Sequence, residues 1–154
     1  MLLNGARIGP KNAQKLFEAL EKYNFEILGA TNCQISNLDS HLANNAIWTN
    51  IKIIYLNNPG LNDEAIIKIA QNNSWSTLMV LRLSGNLIGN EGAIALGKNT
   101  HRKNLHLDLS YNRIERDGAT GLARNTAWSE LEKLDLQHNL LDDESTFALG
   151  RNSS

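Results

Sequence analysis

Two histidines and two aspartates in the C-terminal half of the chain are the residues whose types could act together in chemistry. His106 and Asp108 alternate in one short segment, and Asp135 and His138 lie in a similar segment further along. Imidazole and carboxylate groups are common metal ligands and common general acids and bases. These residues show no dedicated ligand spacing, and no phosphate-binding glycine loop, zinc motif or nucleophilic serine motif accompanies them. We therefore predict a protein that is not an enzyme and that uses no metal or other cofactor.

The composition argues against several classes of partner. The chain has 154 residues, a formal net charge of -1 and a hydrophobic content of 42%, which is enough for a core. Nucleic acids and anionic membranes require concentrated Lys and Arg, and the one basic cluster, His101-Arg102-Lys103, neutralises too few phosphates. No apolar run is long enough to span a bilayer, and residues 1–5 do not resemble a signal peptide. We therefore expect no nucleic acid and no membrane among the partners.

An internal repeat accounts for nearly the whole sequence. Its core is a Leu-x-Leu-x-x-Asn-x-Ile pattern, in which the Asn position is filled by Ala6, Cys33, Pro59, Asn86, Asn112 and Asn139. The spacings between these positions are 27, 26, 27, 26 and 27 residues. A second apolar position recurs with the same period, at Leu16, Leu42, Ile69, Leu96, Leu122 and Leu149. One unit cannot bury its apolar face alone, so the repeat predicts a stack of strand-plus-helix units.

Each part of the unit has a physical reason. The Leu-x-Leu alternation gives a short strand with two side chains pointing inward. The Asn then turns the chain, and its amide satisfies backbone groups in the bend. A polar residue such as Ser36, Asn62 or Asp142 caps the helix that follows, where apolar residues recur at helical spacing. The connection before Leu107 is one residue shorter than the others, and the register holds elsewhere.

The pattern resembles the leucine-rich-repeat family, specifically its ribonuclease-inhibitor-like branch. The resemblance rests on the Leu-x-Leu-x-x-Asn-x-Ile runs, on the helical segments 92–96 and 118–123, and on Cys33, because such repeats use Asn or Cys at that position. It implies an α/β solenoid, a horseshoe arc with parallel strands on the concave face and helices on the convex face. Residues 1–154 are expected to form a single domain of about five full repeats plus a partial N-terminal one. Tropomodulin repeats are similar in outline, although nothing here matches their actin-binding features.

A column of tryptophans accompanies the repeat. Trp48, Trp75 and Trp128 each follow an Asn by three residues, and Arg102 takes the same place after Asn99. One interpretation is an aromatic binding strip. The favoured interpretation is packing between a helix end and the neighbouring repeat, because aromatic side chains dominate core burial.

Binding specificity is expected at the outward strand positions, because the repeat consensus occupies the inward ones. Tyr and Arg are enriched in binding hot spots. We therefore predict a partner-binding site on the concave face, formed by Tyr55, Arg82, Asp108, Tyr111, Asp135 and His138. The alternative interpretation is a solvated sheet face on which Arg82 and Asp108 form an ion pair.

The leading functional hypothesis is a non-catalytic module that binds another protein. The alternative is a structural or regulatory segment of a larger multidomain or effector protein; asparagine-rich, Trp-bearing repeats are similar to those in secreted effectors of intracellular bacteria. Solenoid ends need polar caps, and the bare N-terminal end leaves room for self-association or for a longer natural chain. A single cysteine excludes an internal disulfide, so we expect a cytoplasmic protein, or one delivered into a host cytoplasm if it is an effector.

The repeat places Cys33 at a buried turn, and we predict that its thiol reacts slowly, since reactive thiols need exposure and positive neighbours. Labelling with a thiol reagent should be slow in native buffer and fast in denaturant. Rapid stoichiometric modification of the native protein would contradict the assignment.

Overall fold

The computed structural model describes residues 1–99, 105–125, 131–145 and 149. The strands in this part of the chain are β1 (Arg7–Ile8), β2 (Ile27–Gly29), β3 (Gln34–Ile35), β4 (Ile53–Tyr55), β5 (Val80–Arg82), β6 (His106–Asp108) and β7 (Lys133–Asp135). The helices are α1 (Pro10–Leu20), α2 (Leu38–Ala43), α3 (Asp63–Ala70), α4 (Asn90–Gly97) and α5 (Arg116–Ala123). The basic cluster His101-Arg102-Lys103 and Trp128 lie outside the described residues.

One strand from each repeat joins a parallel sheet, in the order β2-β4-β5-β6-β7. The register pairs equivalent repeat positions, such as Leu28 with Ile54 and Leu81 with Leu107. The predicted parallel sheet is therefore confirmed. The first, partial repeat adds only a bridge between Leu2 and Gly29, and β1 pairs with β3 in a separate two-stranded sheet.

The helices α2 to α5 pack side by side in chain order, each against the next. Packed helices lie about 8–10 Å apart, whereas hydrogen-bonded strands lie about 4.8 Å apart. A stack with strands on one side and helices on the other must therefore curve, with the strands on the inside. The outward side of the five-stranded sheet is the concave face of the arc, and the helices form its convex face.

The inward strand positions form the core. Leu81, Leu83, Leu107 and Leu109 are 0% exposed, as the repeat pattern predicts. They belong to one apolar cluster that runs through the stack, and Leu105 is buried in it despite the shortened connection. Within the described residues, no helix has both the length and the apolar character needed to cross a membrane.

A ladder of asparagine amides joins consecutive repeats. The Nδ2 of Asn112 donates to the backbone oxygens of Leu109 in its own turn and Leu83 in the preceding repeat, both at 3.0 Å. Its Oδ1 accepts from the backbone N–H of Ile88 at 3.1 Å. Asn86 and Asn139 repeat this arrangement one unit earlier and one unit later. The predicted hydrogen bonding of the Asn position is therefore confirmed.

Three rungs of the ladder differ from those of Asn86 and Asn112. Asn139 is half-buried rather than buried, because no further repeat covers it within the described residues. Pro59 has no side-chain donor for the preceding repeat and no backbone N–H, so we expect this rung to be weak. Cys33 is 1% exposed, and its thiol donates to the backbone oxygen of Ala30 within the same turn.

A second row of asparagines, which was not predicted from the sequence, joins the helix ends. The Nδ2 of Asn72 donates to Leu42 O at 2.7 Å and to Asn45 O at 2.8 Å. Asn99 and Asn125 each donate to the preceding repeat in the same way. Both rows satisfy carbonyl groups that would otherwise be buried without a donor.

The tryptophans beside this row belong to the core. Trp48 and Trp75 are 0% and 1% exposed, and the indole N–H of Trp48 donates to Leu20 O at 3.4 Å. The packing interpretation is therefore confirmed for these two residues, and an aromatic binding strip is wrong for them.

The helix caps come from two sources. Asn62 and Asp142 accept hydrogen bonds from backbone N–H groups in the helices that follow them, as predicted. Ser36 is not a cap: α2 begins after Asn37, whose left-handed backbone (φ 56°) gives no side-chain cap. The N-terminus of α4 is capped instead by the preceding repeat, since Asp63 Oδ1 accepts from Gly89 N and Gly92 N. A Cβ on Gly92 would lie 2.6 Å from that oxygen, so the glycine makes room for the cap.

We predict that Asn112→Ala destabilises the protein. The change leaves the backbone N–H of Ile88 and several carbonyls without partners, at a cost of about 1–3 kcal/mol for each buried group. Urea unfolding followed by circular dichroism should show a lower midpoint, whereas Asn50→Ala, at an exposed asparagine, should not. An unchanged midpoint for Asn112→Ala would count against the ladder.

We also predict that Pro59→Asn stabilises the protein. The new amide can donate to the backbone oxygens of Leu56 and Ala30, as Asn86 does one repeat later, and each such bond contributes about 1 kcal/mol. The matched control is Pro59→Ala, which restores the backbone N–H without the side chain. A melting temperature of Pro59→Asn no higher than that of Pro59→Ala would show that the weak rung has another cause.

Candidate functional site

The concave face changes character along the stack. Its first outward column is aliphatic in the N-terminal half, where Ile27, Ile53 and Val80 lie side by side on β2, β4 and β5. The exposed Met79 borders this stretch. On β6 and β7 the same column continues as His106 and Lys133. The face is therefore apolar at one end and polar at the other.

The second outward column carries four of the predicted site residues. The register places Tyr55, Arg82, Asp108 and Asp135 on successive strands. The guanidinium carbon of Arg82 lies 5.3 Å from the centroid of the Tyr55 ring, which is a cation–π distance. Arg82 and Asp108 form no ion pair, so this part of the alternative interpretation is wrong; that the face is merely solvated stays an open alternative. Arg82 is attracted to the aromatic ring on one side rather than to the carboxylate on the other.

The two aspartates are held by the turns that follow their strands. Asp108 Oδ1 accepts from the backbone N–H of Ser110 at 3.0 Å and from its hydroxyl at 2.7 Å. Asp135 Oδ1 accepts from Gln137 N at 3.1 Å, and its Oδ2 lies 3.5 Å from Lys133 Nζ. Within the described part of the chain, Asp108 Oδ2 has no ion pair or hydrogen bond. One carboxylate oxygen of fixed orientation is thus available on this face.

The remaining two predicted residues form an aromatic stack beside the strand ends. The rings of Tyr111 and His138 lie 4.1 Å apart, with 19° between their planes. Tyr111 is 58% exposed, and His138 is exposed as well. The structure therefore brings these two together in the turns after β6 and β7, next to the strands that carry Asp108 and Asp135.

The stack occupies a backbone position that disfavours it. The residue before the ladder position has positive φ in every described repeat: Gly5, Asn32, Asn58, Gly85, Tyr111 and His138. Gly and Asn suit this left-handed conformation, whereas other residues cost about 1–2 kcal/mol there. Tyr111 and His138 both have φ 55°. Two aromatic residues thus stand where the other repeats use Gly or Asn.

Comparison with known proteins agrees with this architecture. Residues 76–97 and 104–123 match the family model described as Leucine Rich repeat. The solved structure described as Leiomodin-1 Actin-Binding Site 2 (ABS2) is similar with a TM-score of 0.55 and 17% identity, covering 94% of this chain and 91% of that chain. The fold is a leucine-rich-repeat solenoid. No curated protein matches the chain.

Some charges on the convex face of the leucine-rich-repeat stack are paired with one another. Hydrogen bonds to Glu64 and then Asp39 raise the pKa of Lys68. Hydrogen bonds from Ser145 and Arg116 hold the pKa of Asp142 well below its usual range. The pairs Lys68–Asp39 and Arg116–Asp142 link neighbouring repeats, so they help to hold the stack together.

Metal-ligating side chains and the thiol are the remaining chemical candidates. Within the described residues, no three His, Cys, Asp or Glu side chains are grouped to hold a metal ion. Burial raises the pKa of the Cys33 thiol, which favours its protonated form and is the physical basis of the predicted slow reaction.

The positive φ at the turn position is a feature of Tyr111 and His138 that the sequence analysis did not use. Asn32, Asn58 and Gly85 occur one residue before the ladder position, and Gly or Asn at a fixed repeat position indicates positive φ. Tyr111 and His138 break that pattern. Reading this column for its backbone conformation would have singled them out as a pair.

Proposed function

We propose that this leucine-rich-repeat chain is a non-catalytic module that binds another protein through its concave face. The residues proposed to contact the partner are Tyr55, Arg82, Asp108, Tyr111, Asp135 and His138. Stacked repeats leave their outward strand positions free to carry specificity, and such domains generally mediate protein–protein interaction.

The observation that carries the proposal is the exposed Tyr111–His138 stack, which lies beside Asp108 and Asp135 on a rigid sheet. Exposed aromatic and charged groups of this kind supply binding hot spots. Rigid placement lowers the entropy cost of association, so a few residues can carry the affinity. On the convex face, Lys68 and Arg116 are engaged in ion pairs between repeats.

Several finer assignments belong to the same proposal. We propose a single domain over residues 1–154, supported by the one core cluster that runs through the stack. The ribonuclease-inhibitor-like branch is supported by the α-helices that follow β1, β3, β4, β5 and β6 and by Cys33 at the ladder position. A cytoplasmic site of action, in the host if the protein is a bacterial effector, is supported by the single reduced cysteine.

The alternative function is that of a structural or regulatory segment within a larger multidomain or effector protein. It is supported by the N-terminal end of the stack, where Leu2 is 66% exposed. That surface is also where self-association would occur. Self-association would raise the mass of this chain in solution to a multiple of the monomer mass, whereas a longer natural chain predicts the monomer mass.

Affinity capture followed by mass spectrometry is the first experiment. The wild-type chain should retain a partner that Tyr111→Ala and Arg82→Ala lose. Purified actin is tested separately as one defined candidate partner, because the structural neighbour is described as an actin-binding site.

Calorimetric titration with the identified partner then locates the binding face. We expect Tyr111→Ala and Arg82→Ala each to weaken binding by roughly 1–3 kcal/mol, the range of hot-spot residues. Lys98→Ala, at the exposed C-cap residue of α4, is the matched convex control and should bind normally. All three variants should keep nearly the wild-type melting temperature, because these side chains point away from the core. If Lys98→Ala abolished binding while the two concave variants bound normally, the proposed face would be wrong.

A further inference from the structure

The polar end of the concave face combines three features around one surface patch, which we call the aromatic corner: Asp108, Tyr111, Asp135 and His138. Its aromatic rings are stacked and exposed. Its two carboxylates lie on adjacent, register-paired strands. The backbone at Tyr111 and His138 has a positive φ, and the other repeats have Gly or Asn at this position. Fold stability by itself does not account for this choice of residues, because the rings bury little surface.

The charges of the corner favour a cationic ligand group. Asp108 presents an oxygen without an ion pair or hydrogen bond in the described structure, and Asp135 accepts from Gln137 N and has one long contact with Lys133. The two carboxylates carry two negative charges. The positive charges at the neighbouring strand positions are Lys133 and Arg82, and Arg82 lies over the Tyr55 ring instead of pairing with Asp108. The face of an aromatic ring is also negative, so ring and carboxylates attract the same kind of group.

The concave face already contains one contact between an arginine and an aromatic ring. Arg82 lies over the ring of Tyr55 at 5.3 Å, although Asp108 is its direct neighbour on the next strand. The guanidinium is planar, stacks on aromatic faces and has a fork of N–H donors that fits carboxylates. Lysine has the charge but neither the plane nor the fork.

We propose that the aromatic corner binds an arginine side chain of the partner protein, stacked on the Tyr111–His138 pair and hydrogen-bonded to Asp108 and Asp135. This inference rests on the proposed function and names the chemistry of the partner segment. An arginine that approaches from solvent meets the exposed ring of Tyr111 and the open Oδ2 of Asp108. The apolar stretch of Ile27, Ile53 and Val80 lies at the other end of the face, so a bound segment would run with its arginine toward β7.

The test uses the full chain and defined peptide probes. The ¹⁵N-labelled protein is titrated with a capped Gly-Arg-Gly-Arg-Gly peptide, followed by amide chemical shifts. The shifts should concentrate in residues 108–111 and 135–138. The matching lysine peptide should bind at least about threefold more weakly, since it lacks the stacking and forked hydrogen bonds. The matching glutamate peptide should produce no localised shifts.

Two variants and two controls locate the contact. Tyr111→Asn removes the aromatic ring. Asn32 and Asn58 have the same positive φ at the equivalent position of their repeats, so this substitution should retain the fold. Tyr111→Asn should weaken binding of the arginine peptide by about threefold or more. The double variant Asp108→Asn/Asp135→Asn should do the same. Tyr23→Ser is the matched aromatic control, because Tyr23 is 59% exposed and Tyr111 58%. The double variant Glu18→Gln/Glu91→Gln is the charge control, because it changes the net charge by the same amount at exposed helix residues.

The outcomes separate this inference from the proposed function. Shifts spread over the convex face, equal binding of the arginine and lysine peptides, or normal binding by Tyr111→Asn would each overturn the arginine site. A captured partner that still requires Tyr111 and Arg82 would leave the proposed function standing in those cases. In the converse outcome, the arginine peptide shifts the amide signals of the aromatic corner while the captured partner binds without contacting the corner. That outcome would overturn the proposed function alone.

Discussion

One hydrogen-bonding arrangement organises the molecule: an asparagine amide that bonds to its own turn and to the preceding repeat at once. Asn112 contacts carbonyls at Leu109 and Leu83 and accepts from Ile88. A turn that is satisfied only with a neighbour present cannot fold by itself. The period of the sequence, the parallel register and the continuity of the core all depend on this requirement.

The same logic recurs at the other ends of the repeats. Asn72 satisfies carbonyls at the end of the preceding helix, and Asp63 caps the helix of the following repeat. Each repeat therefore completes its neighbours. Where a rung is missing, at Pro59, the coupling rests on backbone pairing and apolar contact. Stability is distributed along the stack in nearest-neighbour terms.

These internal demands also decide where function can be placed. The inward positions and both asparagine rows are committed to stacking, and Lys68 and Arg116 on the convex face pair with carboxylates of a neighbouring repeat. The outward strand residues and the turn residues beside them are under no such demand. Their variation along the stack, from Ile27 to Lys133 and from Asn32 to His138, is therefore where a partner can be recognised.

Much of this could be predicted from the sequence, because a repeat shows the same requirement several times. The Leu-x-Leu strands, the Asn turns and the parallel pairing followed from periodicity and hydrogen-bond satisfaction. Some local assignments failed because they depend on three-dimensional neighbours: Ser36 is not a cap, and Arg82 does not pair with Asp108. The six candidate residues were identified by their outward position in the repeat and by side-chain type, and that a partner contacts them stays a prediction.

The sequence by itself determined the fold class, the register and which side chains point inward, since these follow from a period that only stacking can satisfy. Only the tertiary structure decided how the outward residues are arranged. Arg82 lies on Tyr55, Tyr111 stacks on His138, and both of the latter have a backbone conformation suited to Gly or Asn. The physical reason is that these contacts join residues about 27 positions apart, on different strands and turns, whose side-chain directions no local pattern specifies.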